Sequence, residues 1–431
     1  MKYYSLQHQS PQVSFKEATI QGQAPDKGLY FPEKLPQVSQ EMLNQMEALS
    51  DVEIAFEVMK PYVEGSLSDE DLLQIVSETL NFPLPLEKIN ETISSLELFH
   101  GPTLAFKDVG ARFMSRCLGH FLKNDNREVT VLVATSGDTG GAVANGFYGV
   151  ENVNVTILYP KGRVSPVQEK QLTTLGKNIT ALEVEGSFDD CQRMVKQAFA
   201  DPQLNEKIFL TSANSINVAR WLPQQVYYFL AYKQWKQKDI APVVCVPSGN
   251  FGNICAGLLA KITGLPLGHF IAACNINDIV SDYLQTGNLK PKETTATLSN
   301  AMDVGNPSNF IRIIELFKNQ FPDLKNNLSA DTITDSETVT TIKKVHEDWG
   351  YTLDPHGAVA YLALERYLQR MGNGAGFILE TAHPVKFPDA VENATGQKVP
   401  LPPALHDLMN RDRVSTVISA DYASLKEFMW K

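Results

Sequence analysis

The sequence predicts an α/β protein with a separate helical module at its N-terminus, on three observations. From residue 129 onward short apolar runs alternate with stretches of helical periodicity, the order that builds parallel sheets covered on both faces. One of those runs, Val243 to Val246, is apolar throughout, as a strand buried on both faces must be. Residues 1 to 95 carry instead three helical patterns, near 39 to 48, 51 to 62 and 68 to 80, closed by Pro83 and Pro85.

Taken in order, the N-terminal module opens with a short polar lead and a turn around Phe31 and Pro32, and Asp69 supplies an acidic residue where its third helix would start. Packing and capping is the role this suggests. The stretch Phe99 to Asp108 follows. Its apolar run Leu104-Ala105-Phe106 delivers Lys107, and Val109, Phe113, Cys117 and Phe121 then give the i, i+4 stripe of a helix. Lys107 therefore stands at a helix N-terminus, where the dipole disfavours an ammonium. Burial against Phe106 pushes the same way, toward the neutral amine that Schiff-base chemistry needs. A first-turn lysine with a packed stem and a hydrated head is the plainer alternative.

The strand Val129 to Ala134 runs into Thr135-Ser136-Gly137-Asp138-Thr139-Gly140-Gly141 and then a small-residue helix, Ala142 to Phe147. In outline this is a strand-loop-helix anion site, though a tight βα turn explains the glycines equally well; it matches neither Walker A nor the dinucleotide fingerprint. The strand Val153 to Tyr159 ends at Lys161 and Arg163, two cations past a carboxyl end, where open sheets bind ligands and where solvated basic loops also occur. Further strands at Ile179 to Val184 and Ile208 to Leu210 flank a helix from Asp189 to Phe199. The second of them opens into Asn214, Ser215, Asn217 and Arg220 ahead of a long helix, Trp221 to Trp235; caps and an Asx turn would account for the polar residues.

After Val243 to Val246 comes Ser248-Gly249-Asn250-Phe251-Gly252-Asn253 and a helix from Ile254 to Ile262. Two glycines flanking residues whose N–H groups can converge on one anion make this the stronger phosphate cradle. Beyond the strand Phe270 to Cys274 the stretch 275 to 309 reads as a long irregular loop, and 321 to 340 as a surface connection. Asp354 to Gly357 opens a helix, Ala358 to Leu368, the strand Gly376 to Glu380 ends at Thr381, and the last forty residues read as a C-terminal helix docked on the body.

Composition narrows the classes. With 431 residues, 43% of them hydrophobic, the chain is long enough for two or three domains. A formal charge of -11 argues against nucleic acid or an anionic membrane as partner, so an anionic small molecule needs a local cationic cluster. The five cysteines, odd in number, lack metal-ligand spacing and suit a reducing compartment. No metal site is expected. With no signal-peptide core after Met1 and no long apolar span, a cytoplasmic location is expected.

Read together, HGPTLAFKD, TSGDTGGA, SANSIN and PSGNFGN, in this order and with GLYFPEKLP before and TAHPVKF after them, resemble the threonine synthases, fold-type II pyridoxal-phosphate enzymes of the tryptophan synthase β type. The resemblance implies two open α/β lobes beside the helical domain of residues 1–95: a large one of 96–112 and 216–431 and a small one of 113–215. It implies conversion of O-phospho-L-homoserine and water to L-threonine and phosphate, with pyridoxal 5'-phosphate as cofactor. Lys107 would carry the cofactor and do the catalytic proton transfers, next to Phe106. The loop Ser248, Gly249, Asn250, Phe251, Gly252 and Asn253 would hold its phosphate, Asp138 would face the ring oxygen, and Thr381 the ring nitrogen. Ser136, Gly137 and Thr139 would hold the substrate carboxylate, and Asn214, Ser215, Asn217 and Arg220, with Lys161 and Arg163, its phosphate. Monomer and homodimer both stay open. A threonine or serine dehydratase shares the lysine and the phosphate loop but has no substrate phosphate to neutralise; a non-catalytic metabolite-binding relative would not need Lys107.

Overall fold

Apolar runs become strands where loops of small and polar residues bound them. In the computed structural model, which describes residues 1–123 and 127–430, the strands are β1 (Lys2–Ser5), β2 (Val13–Ser14), β3 (Tyr30–Pro32), β4 (Leu86–Lys88), β5 (Ile93–Glu97), β6 (Val129–Ala134), β7 (Val153–Pro160), β8 (Ile179–Glu185), β9 (Phe209–Thr211), β10 (Val243–Pro247), β11 (Phe270–Cys274), β12 (Leu328–Thr332), β13 (Gly376–Glu380) and β14 (Thr416–Ser419). The chain divides into two units, one of Met1, residues 31–106 and 221–400, the other of residues 2–30, 107–220 and 401–431.

The first unit is built on a six-stranded sheet in the order β12-β11-β10-β13-β5-β4, parallel except for β4. Its core is formed with the helices Asp335–Trp349 and Pro355–Met371, which bury Ile342, Val345, Val359, Tyr361 and Leu364 against Cys245, Ile271 and Ile378 of the strands. The expected N-terminal helices form as Gln40–Gln45, Asp51–Val63 and Asp69–Thr79, each N-capped by a serine, Ser39, Ser50 and Ser68. The expected surface connection at 321 to 340 is corrected. It holds a helix, Phe321–Asn327, the edge strand β12 and the start of a helix capped by Thr334 and Glu337. The irregular stretch 275 to 309 likewise contains a helix, Ile279–Thr286.

The second unit carries a five-stranded parallel sheet in the order β14-β8-β7-β6-β9. Helix Lys107–Leu122 lies against helix Asp138–Phe147 so closely that a Cβ on Gly146 would stand 3.1 Å from the Ala111 backbone. The expected division gave the lysine helix to the large lobe; here it lies in the second unit. The expected helical domain 1–95 is also divided: Phe15, on helix Phe15–Gln21, packs edge-on against Phe121 within the second unit, while β4 and β5 join the first unit's sheet. At the other end of the chain β14 extends the second sheet, and helix Tyr422–Trp430 seats Leu425 in its core. The helix expected from Trp221 to Trp235 is broken into Val218–Trp221, a 3-10 turn holding Pro223, and Gln225–Gln234, since proline lacks the N–H that a continuous helix needs. All five cysteines are buried and free, and among the described residues no helix is long and apolar enough to cross a membrane.

Candidate active site

Lys107 is the first residue of its 16-residue helix, and the segment before it is pinned to the end of β13. Phe106 N–H donates to the Thr381 carbonyl at 2.9 Å, Ala105 bridges Ala382, and the buried Lys386 ammonium donates to the Thr103 carbonyl at 2.8 Å. Leu104 takes a φ of 57°, left-handed backbone that a leucine adopts only when its surroundings impose it. Tyr227 hydroxyl donates to the Phe106 carbonyl and its ring meets the Phe106 ring edge-on at 6.5 Å. The lysine is thus delivered by an over-determined turn.

Its own side chain is 15% exposed, and Nζ lies 3.8 Å from Asp138 Oδ2. The sequence reading expected burial and the helix dipole to favour a neutral amine. The carboxylate opposes both, because an opposite charge at that range favours the ammonium. Asp138 stands at the start of its helix, 5% exposed, and its Oδ1 accepts from Gln168 Nε2 at 2.9 Å. Sequence reasoning missed Gln168; its one trace is a capping pattern, Ser165-x-x-Gln168. It also missed Thr135, whose buried Oγ1 accepts from the amides of Gly137 and Gly140, both at 2.9 Å, and so shapes the loop. Gly137 has φ 139°. Among the described residues, the amides of Ser136 and Thr139 meet no acceptor and stay available to an anion.

The second polar loop is more committed than its sequence implied. Asn217 is fully buried; its Nδ2 donates to the carbonyls of Thr19 (2.9 Å) and Ser212 (3.3 Å), and its Oδ1 accepts from Ala219 N–H at 3.0 Å. These bonds tie the side chain to the fold and anchor the loop. Asn214 and Ser215 are half-buried, Asn214 N–H donating to Ser212 Oγ at 3.2 Å. Arg220, 3% exposed, donates to the Ala213 carbonyl and packs on the lysine helix: a Cβ on Gly110 would stand 3.1 Å from its Nε. Lys161 pairs with Glu185 at 2.9 Å on the surface, and Arg163 is exposed.

In the first unit, Ser248 to Asn253 leads into helix Gly252–Ile262. The left-handed residue is Phe251, φ 60°, and not Gly249 or Gly252. Gly249 is required for close approach, since a Cβ there would meet the Ala301 carbonyl oxygen at 2.6 Å. The polar side chains serve the loop: Ser248 Oγ donates to the Val246 carbonyl (2.9 Å), Asn253 Nδ2 to the Pro247 carbonyl (3.0 Å), and Asn250 Oδ1 accepts from Ser308 N–H (2.6 Å). The backbone N–H groups of Gly249, Phe251, Gly252 and Asn253 meet no acceptor among the described residues, although Phe251 and Asn253 are buried. Buried amides at a helix start, turned together by a strained residue, fit the phosphate of a cofactor. The stretch 275 to 309 gains a role as their support: Ala301 N–H donates to His356 Nε2 at 3.2 Å, and the other ring nitrogen pairs with Asp354 at 2.9 Å.

Thr381 follows Glu380 at the end of β13; it is 6% exposed and its hydroxyl has no partner among the described residues. Glu380 is fully buried, accepts from Asp354 N–H at 2.7 Å, and has its carboxyl pushed well above the usual range by burial and by Asp354 beside it. A group whose folded pKa is raised stabilises the fold fully below its unfolded value, about 4.3, and loses that contribution as pH rises toward the folded one. Glu380→Gln, which keeps the acceptor for Asp354, is therefore expected to flatten stability above about pH 4.5, removing a slope of up to about 1.4 kcal/mol per pH unit. Urea unfolding from pH 5 to 8 checks this; a slope unchanged from wild type refutes it. His383, neutral because burial lowers its pKa to about 4, accepts from Val385 N–H at 3.1 Å and caps a turn.

Comparisons with known proteins agree over the whole chain. Residues 84–379 match the family described as "Pyridoxal-phosphate dependent enzyme", residues 2–80 that described as "Threonine synthase N terminus", and residues 357–429 that described as "Threonine synthase, C-terminal". Threonine synthase of Haemophilus influenzae is 47% identical over 432 residues, covering 100% of both chains. The crystal structure of threonine synthase from Escherichia coli superposes with a TM-score of 0.92 at 44% identity, covering 100% of this chain and 99% of that one. A PLP-bound threonine synthase from Brucella melitensis also gives 0.92, at 38% identity, covering 100% and 98%.

Proposed function

The chain belongs to the threonine synthase family of pyridoxal-phosphate-dependent lyases, and from that premise we propose that it converts O-phospho-L-homoserine and water to L-threonine and phosphate, with Lys107 as its central catalytic residue. When bound, the cofactor supplies an electron sink for charge that develops on the amino-acid carbons. The backbone amides of Gly249, Phe251, Gly252 and Asn253 would hold the cofactor phosphate, Thr381 hydroxyl the ring nitrogen, and Asp138 the ring oxygen. A neutral hydroxyl partner leaves the ring nitrogen largely unprotonated. Lys107 Nζ would hold the cofactor and, with substrate bound, would move protons at the substrate Cα and Cβ. Phosphate would leave Cγ, which gains a proton to become the methyl group, and water would add at Cβ, its hydroxyl staying there. The amides of Ser136 and Thr139 fit the substrate carboxylate.

The observation that carries the phosphorylated substrate is Arg220, a buried guanidinium packed against Gly110, three residues along the helix that Lys107 begins. A protein of net charge -11 needs such a local cation for a dianionic leaving group. Measuring phosphate release from O-phosphohomoserine beside ammonia release from threonine tests the proposal: phosphate release that exceeds ammonia release supports it, and the reverse makes the protein a dehydratase.

The cradle has its own test. Gly252→Val is expected to weaken cofactor retention more than turnover by cofactor still bound, because a branched side chain crowds the backbone approach to the phosphate. Cofactor occupancy after dialysis reads this directly. Occupancy equal to wild type would place the phosphate elsewhere.

A further inference from the structure

We propose that Gln168 is a positioning residue that holds Asp138 ionised and aimed at Lys107, and so sets the proton affinity of the Lys107 amine. The claim rests on the reading of Lys107 as the cofactor lysine. Three observations meet at this carboxamide. Its Nε2 donates to Asp138 Oδ1 at 2.9 Å, which leaves Oδ2 as the oxygen 3.8 Å from Lys107 Nζ. Its Oε1 accepts from Ser165 N–H at 3.1 Å, and its own N–H donates back to Ser165 Oγ at 3.4 Å, closing the capping box of helix Pro166–Thr173. It is 2% exposed and seated against Gly137, where a Cβ would stand 2.5 Å from its Cδ.

The residue type carries the inference. A capping box works with an acid or an amide at its third position. Among the described residues four other boxes use acids, Glu17, Glu53, Asp190 and Glu337. At 168 the same position must accept from Ser165 and donate to a buried carboxylate at once. A carboxamide does both; a carboxylate would repel Asp138 or force the two to share a proton. The helix before Asp138 in the chain contributes Lys107, with Asp108 and Arg112 also buried on it. Helix Pro166–Thr173 contributes Gln168, while its Glu169 pairs with Arg413 and its Lys170 donates to the Arg411 carbonyl; β7 brings no charged side chain.

The test reads the Lys107 titration in the apoenzyme, by competitive labelling with acetic anhydride across pH and mass spectrometry of the Lys107 peptide. Gln168→Leu removes the donor to Asp138, so the carboxyl is less readily held ionised and the Lys107 midpoint is expected to fall by about one pH unit. Ser165→Ala breaks the cap and spares the Asp138 bond, so the midpoint should stay. The exchange Asp138→Asn with Gln168→Glu keeps a donor-acceptor pair but moves the acid away from Nζ, and should lower the midpoint while melting near wild type. A midpoint unmoved in Gln168→Leu and in the exchange, or moved equally by Ser165→Ala, would make Gln168 a helix cap and nothing more. Borohydride mapping of the cofactor to a different lysine would sink the role of Lys107, while the apoenzyme titration would still decide the role of Gln168.

Discussion

Lys107→Ala is expected to lose turnover by about ten-thousand-fold or more, since a methyl group supplies neither the covalent attachment nor the proton transfers. The fold should survive. Lys107 is the first residue of a helix in which alanine is the most favourable substitution, and the turn that delivers it is held by Thr381, Thr103 and Lys386 through backbone groups the change does not touch. Asp138 would lose its ion pair at 5% exposure but keep the Gln168 donor, so a loss of about 1 to 3 kcal/mol bounds the stability cost. The cradle amides would still retain some cofactor without a covalent bond. Borohydride reduction of the wild type followed by peptide mapping must find the cofactor on Lys107. Any other lysine overturns the assignment.

How much of this was legible in the sequence depends on the kind of interaction. β6, β11 and β13 agree with the expected strands to the residue because Val129–Ala134, Phe270–Cys274 and Gly376–Glu380 are apolar runs cut off by loops. β12 was missed because Leu328–Thr332 buries only Leu328 and reads as polar surface, which is how an edge strand looks. The break at Pro223 was signalled and overlooked. Unit membership was illegible for a different reason: what assigns the lysine helix to its unit is the contact of Ala111 with Gly146, a long-range packing choice that no local pattern encodes. The site divides in the same way. Lys107 and the two glycine loops stand out by local motif, whereas Gln168, Lys386 and Leu104 matter through bonds and dihedrals that exist only after folding. Asn217 shows the converse: a polar residue in a promising loop whose bonds to Thr19 and Ala219 no local motif announces.

Arg220→Ala should then lower kcat/KM for the phosphorylated substrate by about 10-fold to 150-fold, at roughly 1.5 to 3 kcal/mol per charge-assisted hydrogen bond removed. A guanidinium can offer two parallel donors to a phosphate, and here one arm already donates to the Ala213 carbonyl, which fixes the side chain before substrate arrives. Arg220→Lys should recover only part of the loss, because an ammonium cannot both hold Ala213 and present a fork. Spectra of the bound cofactor should not change in either variant, since the residue is assigned to substrate. The neighbouring cations give the contrast: Lys161 is neutralised by Glu185 at 2.9 Å, so Lys161→Ala is expected to stay within about two-fold of wild type. Wild-type kcat/KM in Arg220→Ala would remove the substrate phosphate from the Asn214 to Arg220 segment and return the Lys161 and Arg163 loop to first place.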